Sequence, residues 1–365
     1  MAKKVLVAVS GGVDSSTALL LLKQQGYGVA AAHMKLWDYA EVGGDAHYDG
    51  RCCSLEAIND LRLICNNLKV PFYVFNFSRQ FRERVIENFV AEYKAGRTPN
   101  PCVLCNTHLK WENFLQKAQE IGADFIATGH YAIVKYEESS QRFQLRKGVD
   151  DSRDQSYALW GLSQEALART LFPLGNLRKS EVRELARQFN LRNADRAESR
   201  EICFIQDDNY RRFLREWEEK RGGGFSVGEI QDILGKKLGE HQGYPFYTVG
   251  QRKGLGISHP TPLYVQRIDP ESNVVQVGEE SGLYSITMQV SDINWVSITS
   301  PTASITASIK IRYLHKAASG KVVPLGTSRA RVEFDEPQRA ITPGQTAVFY
   351  RDDLVLGGGI IEKNS

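Results

Sequence analysis

Short, continuous hydrophobic runs mark the first two hundred residues, and segments with helical spacing separate them. The strands predicted from these runs are Val5–Val9, Val29–Met34, Phe72–Phe77 and Phe125–Thr128. Between the second and third runs, apolar residues recur every three or four positions, which is the spacing of one helix face: Ile58, Leu61, Cys65 and Leu68. Alternating strands and helices of this kind predict an α/β fold, with a parallel sheet covered by helices on both faces.

The pattern changes near Asp207 and again near Tyr284. A charged helical segment, Tyr210–Arg221, precedes short glycine-interrupted segments that continue to about Gly278. Thereafter apolar and polar residues alternate in short strands, which predicts a small antiparallel β-barrel. The predicted barrel strands include Ile309–Tyr313, Arg329–Phe334, Thr346–Tyr350 and Leu354–Leu356. We therefore expect three domains, at residues 1–206, 207–280 and 281–365.

Composition narrows the function only slightly. Of the 365 residues, 42% are hydrophobic and 24% are charged, as in ordinary water-soluble proteins. The net charge of +3 is too small to demand a nucleic-acid partner, although local basic patches remain compatible with one. No apolar run is long enough to cross a bilayer and no secretory signal is recognisable, so we expect a cytoplasmic protein without membrane contact.

The first predicted strand ends in a glycine turn, Ser10–Ser15, that leads into a helix. Such a turn directs backbone N–H groups and the positive end of a helix at a phosphate group. No lysine follows the glycines, unlike the loop of kinases and GTPases, and this favours chemistry at the α-phosphate, which is adenylation. Ligands of parallel sheets bind at the carboxyl ends of the strands, where Met34 and Gly129–His130 also fall.

Cysteines form the second candidate for chemistry. Cys102 and Cys105 follow a proline-stiffened loop and precede a helical segment, so we expect a lowered thiol pKa and a thiolate near neutral pH. The pair alone fits a redox site, half a metal site or a nucleophile with a neighbour. Cys203, between bulky apolar residues, is by itself more typical of a packing residue than of a nucleophile.

Several segments together resemble the tRNA-specific 2-thiouridylases, the MnmA family. Ser10–Ser15 matches the pyrophosphatase-loop (PP-loop) motif of adenylating enzymes. The other matching segments are Ala95–Pro101, Cys105–Asn106, Ala127–Tyr131, Asp154–Tyr157, Ile202–Ile205, Gly250–Gly256 and Thr342–Gln345. They run through nearly the whole chain in the order of that family. The resemblance implies an adenine nucleotide α-hydrolase-like (PP-loop) domain, a small middle domain and an antiparallel β-barrel.

The resemblance also implies a reaction. An enzyme of this family uses ATP and Mg²⁺ to adenylate the wobble uridine of tRNA at carbon 2, and sulfur then displaces AMP. The cysteine matching Cys203 receives sulfur as a persulfide from a cysteine desulfurase or a relay protein. The cysteine matching Cys105 then closes a disulfide with it. The implied substrates are the tRNAs for lysine, glutamate and glutamine.

Family positions carry over residue by residue. The implied ATP-binding residues are Ala8, Val9, Ser10, Gly11, Gly12, Val13, Asp14, Ser15, Met34 and Gly129. The implied tRNA-binding residues are Asn100, His130, Arg153, Asp154, Gln155, Arg312, Tyr313 and Gln345. We expect the target base to be flipped out, because ring atoms within the base stack are inaccessible.

One departure from the family leaves an alternative open. Many members carry aspartate where this chain has Cys102, so no carboxylate role can be assigned there. Cys102, Cys105 and Cys203 could instead ligate a [4Fe-4S] cluster with one open iron site. Two further alternatives are a PP-loop ligase acting on a small molecule, and an RNA-binding protein without catalytic activity.

The remaining candidates favour ordinary roles. Cys52–Cys53 could complete a four-thiolate zinc site with Cys102 and Cys105, but a structural role is favoured. Cys65 is predicted to be core, and His108 to be an ordinary polar residue, with activation of a cysteine as its alternative. The basic pairs are predicted to be solvated surface, with the last the best candidate for tRNA backbone contact: Arg178–Lys179, Arg211–Arg212, Lys236–Lys237 and Arg252–Lys253.

Overall fold

The computed structural model describes residues 2–43, 55–191, 193–194, 202–205 and 207–363. Cys52–Cys53, considered above as zinc ligands, lie outside the described residues. The strands up to residue 171 are β1 (Lys4–Ala8), β2 (Gly28–Lys35), β3 (Phe72–Asn76), β4 (Phe125–Ala127), β5 (Ala132–Glu137), β6 (Arg142–Lys147) and β7 (Thr170–Leu171). The helices are α1 (Val13–Gln24), α2 (Tyr39–Val42), α3 (Leu55–Asn67), α4 (Ser78–Phe81), α5 (Glu87–Lys94), α6 (Pro101–Leu104), α7 (Phe114–Glu120), α8 (Gln164–Ala168), α9 (Lys179–Gln188) and α10 (Tyr210–Glu219).

Five of these strands form a parallel sheet in the order β3-β2-β1-β4-β7. The four strands predicted from hydrophobic runs are confirmed to within one residue at each end. Alternate residues of β1 belong to different hydrophobic clusters, with Val5 and Val7 packed with Leu19 of α1, and Leu6 in the main core. The centre of the sheet is thus buried on both faces, as its continuous apolar strands predicted, whereas Tyr73 and Val74 of the edge strand β3 are exposed.

The central region forms a separate four-stranded sheet. Its strands are β8 (Gly228–Gln231), β9 (Lys237–His241), β10 (Tyr264–Asp269) and β11 (Val274–Gly278), in the order β10-β11-β8-β9. Helix α10 precedes this sheet but packs on the first domain. The Tyr210 ring stacks on Tyr93 of α5 with centroids 5.0 Å apart, and Phe213 meets Phe89 edge-on at 6.0 Å.

The last strands close into an antiparallel barrel. They are β12 (Tyr284–Asn294), β13 (Ile305–Lys310), β14 (Ala318–Pro324), β15 (Ala330–Arg339), β16 (Thr346–Arg351) and β17 (Leu354–Ile361). Closure follows because β12 pairs with both β15 and β17. The predicted fold class is therefore confirmed. The predicted strand Ile309–Tyr313 is wrong at both ends, because β13 begins at Ile305 and ends at Lys310, which leaves Arg312 and Tyr313 in the following turn.

A hairpin of the first domain joins the barrel. Strands β5 and β6 pair with each other, and Arg146 of β6 pairs with Leu354 of β17. The Arg146 guanidinium also binds the Asp353 carboxylate at 2.9 Å, and the Leu145 amide donates to the Ser297 hydroxyl at 2.8 Å. Pairing of β6 with β17 therefore connects the first domain to the barrel, which the sequence pattern did not predict.

The loop before α6 is held by both other domains. At Gly96, an added Cβ would lie 2.9 Å from the Pro270 side chain of the central domain. From the barrel, the Pro343 carbonyl accepts from the Thr98 amide at 2.8 Å, and the Gln345 side-chain amide donates to the Thr98 carbonyl at 3.0 Å. Contacts with the other two domains therefore hold the loop that leads to Cys102 and Cys105.

Substitution of Gly344 should test this contact. Its φ is +86°, and an added Cβ would lie 2.9 Å from the Thr98 backbone nitrogen. We expect Gly344→Ala to lower the free energy of unfolding by about 2–4 kcal/mol, through left-handed strain and overpacking together. Gly326→Ala is the matched control, because its φ is also positive, at +108°, and no heavy atom lies within 4 Å of the added Cβ. Equal losses in chemical denaturation would contradict a specific contact at Gly344.

Candidate active site

The glycine turn curls around the start of α1. Gly11 has a φ of +84°, and Gly12 is the extended residue that precedes the helix. The Ser15 hydroxyl donates to the Gly12 carbonyl and accepts from the Ser10 amide, each at 3.1 Å. Val9 continues from β1 and donates its amide to the Ala32 carbonyl at 2.9 Å. The first amides of α1 therefore lie in a preformed turn suited to an anion.

Gly129 closes the neighbouring side of this turn. It follows β4, which lies beside β1, and an added Cβ would be 2.8 Å from the Ser15 nitrogen and 2.9 Å from the Asp14 carbonyl carbon. Met34 lies half-buried near the carboxyl end of β2. Ser10–Ser15, Met34 and Gly129 thus lie at one edge of the sheet, as their positions after successive strands predicted.

Asp14 is the charged centre of the loop. Its carboxylate accepts from the Tyr131 hydroxyl at 2.7 Å and from the Lys179 ammonium at 2.7 and 2.8 Å. Lys179 begins α9 and is 8% exposed. The prediction that Lys179 is solvated surface is therefore wrong. No local signal placed Lys179 or Tyr131 here, because the contacts span 165 and 117 positions of the chain.

A buried asparagine also supports the loop and was missed by sequence reasoning. The Asn193 side-chain amide donates to the Gly11 carbonyl and to the Ser16 hydroxyl, each at 3.0 Å. His33 contributes from β2, where its Nδ1 donates to the Val9 carbonyl at 3.1 Å and burial lowers its pKa. Both side chains fix backbone groups of the turn.

Cys102 and Cys105 lie in one helical run. It consists of α6, a π-helical segment at Cys105–Asn113, and α7. Cys102 is exposed, whereas Cys105 is buried. Burial raises the pKa of the Cys105 thiol to about 11, against the opposing charge of Lys110. Desolvation of the thiol also raises the pKa of Cys102. The predicted lowering of the thiol pKa is therefore wrong for both cysteines, because desolvation outweighs the charge of Lys110.

Lys110 links the helical run of Cys102 and Cys105 to His130, beside the glycine turn. Its ammonium donates to the Asn106 side-chain oxygen at 2.8 Å and to His130 Nε2 at 3.3 Å. Burial, and then the charge of Lys110, hold the pKa of His130 well below its usual value. The ring is thus neutral and carries its proton on Nδ1, which donates to the Thr128 hydroxyl at 2.6 Å. His130 directly follows Gly129, so the two parts of the site adjoin.

The charge near Cys105 thus comes from Lys110 rather than from His108. The His108 ring instead contacts the Glu112 carboxylate at 3.0 Å. Lys110→Met should slow alkylation of Cys105 by iodoacetamide about tenfold below the thiol pKa, since about 1.4 kcal/mol of lost thiolate stabilisation corresponds to that factor. Lys117→Met is the control, because Lys117 lies in the same helical run and pairs with Glu120 on the surface. Alkylation that both variants leave unchanged would contradict this role.

The Cys203 segment is attached to the same part of the domain. The neighbouring Phe204 ring packs edge-on against Phe81 and Phe89, with centroid distances of 5.6 and 5.3 Å. These two rings belong to the helical run at residues 78–94, which also packs against the helix of Cys105. Cys203 itself is half-buried. One helical run therefore supports both segments that carry the predicted sulfur chemistry.

The iron–sulfur alternative gains no support from this geometry. Within the described ranges, no three His, Cys, Asp or Glu side chains are grouped so that they could hold a metal ion. Cys102, Cys105 and Cys203 thus form no ligand set here. Cys65 is fully buried in the hydrophobic cluster that contains Val5 and Val7 of β1, which confirms the prediction that it is a core residue.

Asp154 has an internal role. Its carboxylate accepts from the amides of Gly148 and Ser156 and from the Ser156 hydroxyl, at 3.2, 3.1 and 2.9 Å. Burial raises its pKa, and the side chain is 5% exposed. The next residue, Gln155, accepts from the Tyr131 amide at 3.1 Å. Asp154 therefore shapes the turn that holds half-buried Arg153 and Gln155 beside Tyr131.

The barrel brings its own predicted residues to this turn. Tyr313 is 42% exposed, and its ring lies 6.1 Å from that of Tyr157, which follows Asp154 by three positions. Arg312 is half-buried, and its guanidinium lies near Tyr157. Gln345 binds the loop before Asn100, as described above. The predicted RNA-contacting residues of the barrel thus lie where it meets the first domain.

Across the described residues, none of the helices combines the length and hydropathy needed to cross a membrane.

Comparison with known proteins identifies the chain's relatives. Family profiles match a tRNA methyl transferase HUP domain at residues 3–207, a tRNA methyl transferase PRC-barrel domain at 219–279 and an aminomethyltransferase β-barrel domain at 285–361. A solved 4-thiouridine synthetase–RNA complex with bound ATP is only distantly similar: it is 18% identical, with a TM-score of 0.34 over 53% of this chain and 42% of that one.

Two curated relatives extend over nearly the full chain. The tRNA-specific 2-thiouridylase MnmA of Carboxydothermus hydrogenoformans is 48% identical over 99% of this chain and 98% of its own length. That of Geotalea uraniireducens is 50% identical over 99% of this chain and 95% of its own length. The chain belongs to the MnmA family of tRNA-specific 2-thiouridylases.

Proposed function

We propose that this protein catalyses the ATP-dependent 2-thiolation of the wobble uridine of tRNA. The main observation behind the proposal is that the segments of Cys105 and Cys203 pack against the same helical run, beside the anion-binding turn. The helical run at residues 78–94 packs against both the Cys105 helix and Phe204, and Lys110 connects the Cys105 helix to His130. Membership of the family, with 48% identity to one curated relative over 99% of the chain, supports the same reaction.

Adenylation is assigned to the PP-loop. The turn at Ser10–Ser15 supplies backbone donors for the phosphates of ATP, and Met34 and Gly129 lie at the same sheet edge. Attack of the uridine carbonyl oxygen on the α-phosphorus breaks its bond to the bridging oxygen, and pyrophosphate leaves with the electron pair. The Asp14 carboxylate suits Mg²⁺, which is commonly held by one or two carboxylates together with substrate phosphates. That ion would neutralise phosphate charge.

Sulfur transfer is assigned to Cys203 and Cys105. The terminal sulfur of a Cys203 persulfide attacks carbon 2 of the activated base, and AMP leaves. The Cys105 thiolate then attacks the Cys203 sulfur, so that the thiolated base is released and a Cys105–Cys203 disulfide forms. An external thiol must reduce this disulfide before the next turnover. Cys105 is buried with a raised pKa, so this step requires it to become exposed.

Binding of tRNA is assigned to the junction of the domains. Exposed Tyr313 and half-buried Arg312 of the barrel meet the turn that holds Arg153 and Gln155, while His130 and Asn100 lie on the first domain. We assign Asp154 a positioning role, because its buried carboxylate is bound within the turn. We also propose that the substrates are the tRNAs for lysine, glutamate and glutamine. The proposed sulfur donor is a cysteine desulfurase or a relay protein, and the proposed location is the cytoplasm. Domain boundaries at residues 206 and 280 are proposed on the same basis.

Mass spectrometry of tRNA nucleosides distinguishes this reaction from its rivals. After incubation with ATP, a sulfur donor and a thiol reductant, we expect replacement of one oxygen by sulfur in the wobble uridine, with AMP released in equal amount. A methylated nucleoside would instead favour tRNA methyl transfer, the activity for which two of the matching domains are named. ATP–pyrophosphate exchange without tRNA would favour a small-molecule ligase, and absence of AMP release would favour a non-catalytic RNA-binding protein.

A further inference from the structure

The PP-loop has no lysine of its own, yet a lysine ammonium lies beside it. Lys179 comes from the first turn of α9, 165 positions after Asp14, and binds both carboxylate oxygens at 2.7 and 2.8 Å. The same ammonium lies 5.9 Å from the centroid of the Tyr131 ring. Tyr131 also donates its hydroxyl to Asp14 at 2.7 Å, so both groups converge on one carboxylate.

Burial of the Lys179 ammonium costs desolvation free energy. The Lys179 side chain is 10% exposed, and transferring an ammonium from water to such a site is unfavourable without a charged partner. The Asp14 side chain is 29% exposed and lies at the start of α1, beside the anion-binding turn. A carboxylate there repels a phosphate chain unless cations compensate it. The Asp14 carboxylate thus holds the Lys179 ammonium beside the turn where negative charge is to be bound.

We propose that Lys179 is a catalytic residue of adenylation that binds the pyrophosphate portion of ATP. The inference rests on the proposed use of ATP. Its ammonium leaves Asp14 when nucleotide binds and contacts the β-phosphate, while Asp14 becomes available to Mg²⁺. As the bond between the α-phosphorus and the bridging oxygen breaks, the ammonium stabilises the charge that develops on the leaving pyrophosphate. The flexible four-carbon stem of lysine permits this exchange of partners.

Nucleotide affinity without tRNA tests the assignment. Titration calorimetry with Mg²⁺ compares AMP with an ATP analogue whose α–β bridge resists cleavage. We expect Lys179→Met to weaken binding of the analogue about 10- to 100-fold, as for loss of a charge-assisted hydrogen bond, while AMP binding changes less than about twofold. Lys179→Arg should recover most of the lost affinity. Arg187→Met is the control, since it removes an equal charge from an exposed position of the same helix.

The outcomes separate binding from support. Equal losses for AMP and the analogue would mean that Lys179 merely aligns Asp14, and unchanged affinity for both would mean that Lys179 takes no part in nucleotide binding; either overturns the inference. If Lys179→Met fails to fold, Asp14→Asn and the double variant Asp14→Asn/Lys179→Met replace it. Adding Lys179→Met to Asp14→Asn should still weaken binding of the ATP analogue more than binding of AMP. Because tRNA and sulfur are absent, failure of tRNA thiolation leaves this test unaffected.

Discussion

Cys203→Ser should abolish formation of 2-thiouridine while the affinities for ATP and tRNA stay within about twofold, because a hydroxyl cannot form a persulfide. The substitution is nearly isosteric and the side chain is only half-buried. Phe204, which carries the packing of this segment on Phe81 and Phe89, is unchanged. Chemistry is therefore lost without loss of fold. Nucleoside mass spectrometry and calorimetry measure the two effects.

Comparison with Cys105→Ser separates the two thiols. That variant should also be inactive, yet it should still accept a persulfide on Cys203. Cys102→Ser is the control, because Cys102 is exposed and has no part in the proposed disulfide. Formation of 2-thiouridine by Cys203→Ser would contradict the proposed persulfide at Cys203.

Gly129→Ala should weaken ATP binding about tenfold or more and lower the free energy of unfolding by about 1–3 kcal/mol, as overpacking does. The added Cβ would meet backbone atoms at 2.8–3.0 Å, belonging to the residues that begin α1. Backbone cannot rotate away as a flexible side chain does. Relief requires a shift of α1 or β4, and either opens the anion-binding turn.

The control for this substitution is Gly224→Ala. Gly224 has no heavy atom within 4 Å of an added Cβ, and its φ lies outside the left-handed region. Its replacement should leave ATP affinity and the unfolding midpoint unchanged. Wild-type ATP affinity in Gly129→Ala would show that the Gly129 contact is not part of the nucleotide site.

Local periodicity was enough to predict the strands of the parallel sheet. Val5–Val9 and Phe125–Thr128 are buried on both faces, so their apolar character is continuous and their ends are marked by the glycines that follow. Because strand ends share one edge of such a sheet, the meeting of Asp14 with Gly129 followed from topology. Alternation likewise located strands in β13, β15, β16 and β17, although the predicted bounds of the first were wrong.

Long-range packing determined what the sequence did not predict. Lys179 belongs to a basic pair like any surface pair until α9 is placed against Asp14. The Cys105 pKa depends on burial, which no local signal encodes. Cys203 shows the opposite case, since its apolar neighbours predicted packing correctly through Phe204, and only family resemblance indicated chemistry. The strand pairing of Arg146 with Leu354 joins segments more than two hundred positions apart.

Peptide mapping after a single turnover tests whether Cys203 and Cys105 carry out sulfur transfer together. Protein loaded with persulfide at Cys203 is mixed with ATP and tRNA without reductant, and its disulfides are then identified by mass spectrometry. We expect a disulfide between Cys105 and Cys203 in amount equal to the 2-thiouridine formed. Thiolated tRNA produced while both cysteines remain unlinked, or while Cys203 is linked to Cys102, would contradict this expectation.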